Sequence, residues 1–147
     1  MGKARTLVGW LGTLGYLFMV VTAAREEQFT ASFMLSFLER RFPDLSPEQL
    51  QTVVFVIRKA IHVTAYGVLA LFCYYGSVGT RVLKRAPFLS ALFLALIVAG
   101  LDEFIQTFQN GRTGALADVA IDGVGIALAL LLLRILQGRK QPTGLKD

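Results

Sequence analysis

Four long apolar runs constrain this chain more than any other feature. They cover residues 7–24, 53–75, 87–108 and 116–136. Each is close to the roughly 20 apolar residues that carry a helix across a bilayer. They are continuous and lack the period of two that marks barrel strands, so the spans are helices. Apolar residues make up 54% of the 147-residue chain and charged residues only 17%. A soluble domain of this size cannot hide that much apolar surface, and a disordered chain would be far more polar. The expectation is an all-α polytopic membrane protein, a four-transmembrane-helix bundle forming a single domain over residues 1–147. One cysteine, Cys73, excludes a disulfide framework and a Cys-based zinc site. It is read as packed or lipid-facing.

The first run has a rival reading. A basic start, a short apolar core and Val21-Thr22-Ala23 also resemble a cleavable signal peptide. With the run retained, the cations set the orientation. Nine Lys and Arg lie at the N-terminus, in the second loop and at the C-terminal end, against four in the first and third loops. By the positive-inside rule this places both termini in the cytoplasm. The net charge of +5 is then a topology signal, and nucleic acid is not expected as a partner.

In the first extracytoplasmic loop, Phe29, Phe33 and Phe37 repeat at i+4, flanked by Met34, Leu35, Leu38 and Phe42. This predicts an interfacial amphipathic helix over about 27–42; a segment packed on the bundle is the alternative. Ser46-Pro47-Glu48-Gln49 predicts a helix start, with Ser as N-cap, Pro at N1 and Gln at N3. The second long helix therefore begins above its apolar run.

Ionisable groups within a membrane span are costly and call for a reason. Arg58, Lys59, His62 and Tyr66 fall within about 100° of arc on the second span. Glu103, Gln106 and Asn110 share a face of the third, while Asp102 points about 100° away, towards the interface. Asp118 and Asp122 are i, i+4 neighbours on the fourth. Counted at 1.5 Å per residue, Lys59, Glu103 and Asp122 lie roughly 8–10 Å below the outer ends of their spans. His62 lies deeper, Tyr66 is near the middle, and Arg112, in the third loop, hangs over the same spot. The expectation is a polar pocket inside the bundle, open to the extracytoplasmic side. The bland alternative is a mutually neutralising ion-pair network that only joins the helices. His62, beside a lysine and opposite acids, is a candidate proton carrier, with Glu103 its candidate partner in catalysis. No metal is expected, since one His and no useful Cys leave only carboxylates, and no cofactor is implied. No serine lies in the stripe for a Ser-His-Asp arrangement.

Two segments carry a resemblance. Arg58-Lys59-Ala60-Ile61-His62-Val63-Thr64-Ala65-Tyr66 resembles the first signature of the VanZ-like family. Asp102-Glu103-x-x-Gln106, Gly111-Arg112 and Asp118-x-x-x-Asp122-x-x-Gly125 resemble the second. The family often has Phe after the His, Glu before the Tyr and His before the Gln, where this chain has Val63, Ala65 and Ile105. The resemblance implies a small polytopic protein of the bacterial cytoplasmic membrane, in a family whose named member is associated with low-level resistance to teicoplanin, a lipid-tailed glycopeptide antibiotic.

Two functions remain open from sequence. The first is binding of an amphipathic envelope ligand: a lipid headgroup, a lipid-linked cell-wall precursor or a lipoglycopeptide. Arg58, Lys59 and Arg112 would meet anionic groups, while Glu103 and Asp118 would meet amines or hydroxyls. The second is acid/base catalysis on a lipid-linked substrate, with His62 and Glu103 exchanging a proton. Proton-coupled transport is a third class, but four helices without an inverted repeat suit it poorly. Membrane lipids are the expected surroundings; oligomeric state is open.

Overall fold

In the computed structural model the described residues are 2–23, 27–108 and 116–139. They form five α-helices: α1 (Lys3–Ala23), α2 (Glu27–Arg41), α3 (Pro47–Gly79), α4 (Pro87–Gln106) and α5 (Leu116–Gly138). A single 3-10 turn, Leu83–Arg85, precedes α4. Helices α1, α3, α4 and α5 are each long and apolar enough to cross a membrane. Large apolar side chains such as Phe18, Phe93, Ile97, Leu128 and Leu132 stand exposed along them. Contiguous exposed apolar surface of this kind suits contact with lipid rather than water.

The capping signal sets the length of α3. Ser46 Oγ accepts from the Gln49 amide at 3.3 Å, and Gln49 Oε1 accepts from the Ser46 amide at 2.8 Å. With Pro47 at N1, the box starts the helix well before the apolar run expected at residue 53. The 33 residues of α3 extend about 50 Å, against a hydrocarbon core of about 30 Å. Helix α4, with 20 residues and Pro87 at N1, matches that thickness and closes at Gln106, two residues before the expected end.

The surplus at the start of α3 is used by α2. Leu38 packs with Leu50 and Val54, and Met34, Leu35 and Ile57 join the same apolar cluster. The connection over 42–46 is short, so α2 and the first turns of α3 form an antiparallel hairpin. The apolar surface of α2 is thereby divided. One part covers α3, while Phe33 and Phe37 remain exposed at 65% and 61%.

Helix α3 is the common neighbour of the other long helices, and small residues bring them close. A Cβ on Gly9 of α1 would strike the backbone of α3 at Gly76, and one on Gly12 would strike the ring of Phe72. Trp10 lies over Gly76 and donates from Nε1 to Thr80 Oγ1 at 3.0 Å. Ala91, Ala95 and Ala99 repeat at i+4 on α4 and are all fully enclosed. Where α3 crosses α5, Gly125 lies against the backbone of Val63 and Gly67 lies against Gly125 and Ala129. Lipid tails are as apolar as Leu, so close backbone approach through small residues drives such packing. Tyr66, Leu69, Ala70, Cys73 and Ile126 form the buried centre. Cys73 is therefore packed, with Thr13 Oγ1 3.7 Å from its sulfur.

Candidate functional site

Lys59, His62 and Tyr66 occupy positions i, i+3 and i+7 of α3, a spacing that stacks them on one face. Each finds a carboxylate on another helix. Lys59 Nζ is 2.6 Å from Asp118 Oδ1, with both side chains about a quarter to a third exposed. Asp118 lies in the first turn of α5, where the helix dipole favours a negative charge. Lys59 also lies 5.4 Å from the centroid of the Phe55 ring.

One turn deeper, His62 Nδ1 lies 3.6 Å from Asp122 Oδ1. That is too long for a direct hydrogen bond and within range of charge attraction to a protonated ring. The pair is lopsided: the imidazole is 32% exposed and the Asp122 side chain 6%. A partly uncovered group is thus paired with an enclosed one.

The third level is closed. Tyr66, 1% exposed, donates its hydroxyl to Asp102 Oδ2 at 2.6 Å. Gln106 Nε2 donates to Asp102 Oδ1 at 3.1 Å. The Tyr66 ring is tilted against His62 with centroids 6.1 Å apart, and Tyr16 of α1 meets it edge-on at 5.5 Å. Four helices therefore contribute to one stack, which passes from a charged pair, through an ionisable pair, to a hydrogen-bonded neutral phenol.

The structure corrects the sequence reading at Asp102. It does not meet the interface; it is buried and accepts from both Tyr66 and Gln106. Asp102 and Gln106 are i, i+4 neighbours and share a face, whereas Glu103 is turned about 100° from Asp102 and is only half-buried. Tyr16 was not anticipated either, since a lone tyrosine in an apolar run carries no periodic signal. Lys59, His62, Tyr66, Gln106, Asp118 and Asp122 are brought together. Arg58 lies towards α2, lining a groove of about 240 Å³ with Ser32, Leu35, Gln51, Val54 and Phe55. Asn110 and Arg112 lie outside the described residues. Among the described residues no three His, Cys, Asp or Glu side chains gather as metal ligands.

Chemically, the stack offers a cation that can exchange Asp118 for another anion, an accessible imidazole oriented by a carboxylate, and a fixed apolar and phenolic floor. No curated protein and no solved structure matches the chain significantly. The model of the VanZ/LLP1 family matches residues 10–137, which include every described member of the stack. That match takes in most of the chain and at least part of each of the four candidate spans, and the chain is a multi-pass membrane protein of the VanZ/LLP1 family.

Proposed function

We propose that the protein binds the polar head of an amphipathic envelope ligand at the outer end of the stack and through it contributes to teicoplanin-type glycopeptide resistance. The observation that carries this reading is the gradient of exposure along α3. Lys59 and His62 are reachable, while Tyr66 and Asp102 below them are closed. A purely structural ion-pair network gains nothing from leaving its outer members a quarter to a third uncovered by the bundle. A ligand phosphate or carboxylate would meet Lys59 and His62, and hydroxyls or amines would meet Asp118. The distribution of Lys and Arg supports an orientation with this end of the bundle outside the cytoplasm.

His62→Gln and Lys59→Gln test the reading, since both keep hydrogen-bonding capacity while the first removes the proton-exchanging ring and the second the fixed positive charge. A strain lacking the gene is complemented with each variant and its teicoplanin susceptibility measured, beside membrane expression and melting in detergent. Both variants are expected to express and melt like the parent and to lose protection. Low expression and low melting in both would make the stack a joint between helices and nothing more.

A second reading is favoured by one observation, the lopsided His62–Asp122 pair. An accessible imidazole oriented by a buried carboxylate is the arrangement of a general base. If His62→Gln retains a lipid-linked ligand and abolishes its turnover, the acid/base enzyme replaces the binding protein.

A further inference from the structure

We infer that the turn between α3 and α4 seats an anionic glycerophospholipid, with the phosphate at Lys84 and Arg85 and one acyl chain along Leu89, Phe93 and Ile97 of α4. The seat is at the end of the bundle opposite the stack and does not rest on the function proposed there. Depth comes first. Helix α4 starts at Pro87, and its 20 residues match the hydrocarbon thickness, so Pro87 stands at the boundary with the headgroups. Residues 80–86 lie on the water side of that boundary, none more than four residues from the end of a spanning helix. They are also folded back on themselves. The Lys84 amide donates to the Thr80 carbonyl at 2.9 Å, and the Ala86 amide donates to the Leu83 carbonyl at 3.2 Å. So compact a turn holds Arg81, Lys84 and Arg85 in the layer where lipid phosphates lie.

Charge comes second. Arg81, Lys84 and Arg85 are exposed, and no carboxylate pairs with them among the described residues. The described Asp and Glu all lie at the other end of the bundle: on α2, in its connection to α3, in the first turn of α3, near the end of α4 and in the first two turns of α5. The start of α4 adds to the positive field. It has no acid in its first turn and no side-chain cap, so its positive end is open to an anion. The path of the chain comes third. Leu89, Phe93 and Ile97 repeat at i+4 along α4 and are 52%, 58% and 58% exposed. This row runs on the hydrocarbon side of Pro87, and Ile97 is about 15 Å below it, half the core and the depth that one acyl chain fills. Phosphate and chain thus fall on the correct sides of one boundary. Val82, 74% exposed among the cations, favours a lipid over a water-soluble polyanion, which offers an apolar side chain nothing.

The experiment reconstitutes the Phe93→Trp variant of the full-length protein in vesicles of phosphatidylglycerol and phosphatidylethanolamine, one part to four, with bromine on the chains of one lipid at a time. Quenching of the added indole is read after subtracting that of the parent, which contains Trp10. Phosphatidylglycerol is expected to be favoured over an equal amount of phosphatidylethanolamine at least about fivefold, the preference that one interfacial cation supplies. Lys84→Gln with Arg85→Gln, in the same background, is expected to equalise the two lipids. Lys3→Gln with Arg5→Gln removes the same charge from the same end and is expected to keep the preference. Phe104→Trp, exposed at the far end of α4, is expected to show none. Equal quenching by the two lipids in Phe93→Trp overturns the inference. So does a preference that survives loss of Lys84 and Arg85, or one that the Lys3 and Arg5 variant loses to the same extent. If the turn variant fails to insert, the two indole positions decide: the same preference in Phe93→Trp and Phe104→Trp rejects the seat.

Discussion

Tyr66 and His62 are four residues apart on one helix, yet their surroundings predict opposite responses to substitution. The Tyr66 hydroxyl is enclosed and satisfies a buried carboxylate at 2.6 Å. Tyr66→Phe keeps the ring and leaves that carboxylate one donor short, and should cost about 1–2 kcal/mol in detergent unfolding. Tyr75→Phe is the matched control. Its ring meets Tyr74 edge-on, a contact that survives loss of the hydroxyl, so stability should stay within about 0.5 kcal/mol of the parent. His62→Gln should likewise leave stability nearly unchanged, because the imidazole is partly uncovered and makes no direct hydrogen bond to Asp122. The sequence revealed most of this group because polar residues in an apolar run stand out, and a helix period of 3.6 sorts them by face. It could not choose between Asp102 and Glu103. Each lies within 60° of Gln106 on the wheel, one at i−4 and the other at i−3. Only the tyrosine on the facing helix decides in favour of Asp102, and no single-helix pattern contains that information.

Among the elements, the crossing of α3 and α5 governs the geometry of the stack. Gly125 follows Asp122 by three residues, and a Cβ there would strike the carbonyl of Val63, one residue beyond His62. Gly125→Ala would place a methyl group on main-chain atoms that cannot rotate away. The two helices must part, at a cost of about 1–3 kcal/mol. Because the same parting lengthens the Lys59–Asp118 and His62–Asp122 pairs, ligand binding should fall together with melting temperature. Gly100→Ala on α4 meets open space and should be neutral or raise stability by up to about 1 kcal/mol, measured in the same melts. The start of α3 was legible because the Ser46–Gln49 box is a local signal. The seat of α2 was less so. Its apolar residues cover most of its circumference, and which of them face α3 depends on the hairpin, which brings Leu38 rather than Phe37 onto Leu50.

For the molecule as a whole, the expected orientation places the α2 hairpin outside and the C-terminus of α5 inside. A cysteine at Ser46 should react with an impermeant maleimide in intact cells, and one at Arg139 only after lysis. Cys73 is enclosed and should stay silent in both. The reverse pattern would turn the accessible end of the stack towards the cytoplasm and remove it from any extracellular antibiotic. The partition of partners among helices also bears on synthesis. Lys59, His62 and Tyr66 are all on α3, whereas Asp102, Asp118 and Asp122 leave the ribosome about 40 to 60 residues later. At about 5–20 residues per second that delay is several seconds. During it, α3 occupies the bilayer with a lysine and a histidine whose partners in the folded protein, Asp118 and Asp122, have yet to be made. Lys59 and His62 stand within about one turn of the membrane edge, close enough for their heads to reach water while the helix waits. The deepest of the three is a phenol, which carries no charge. The sequence of groups along α3, cation outermost and neutral hydroxyl innermost, is thus also the order in which a newborn helix can tolerate being alone.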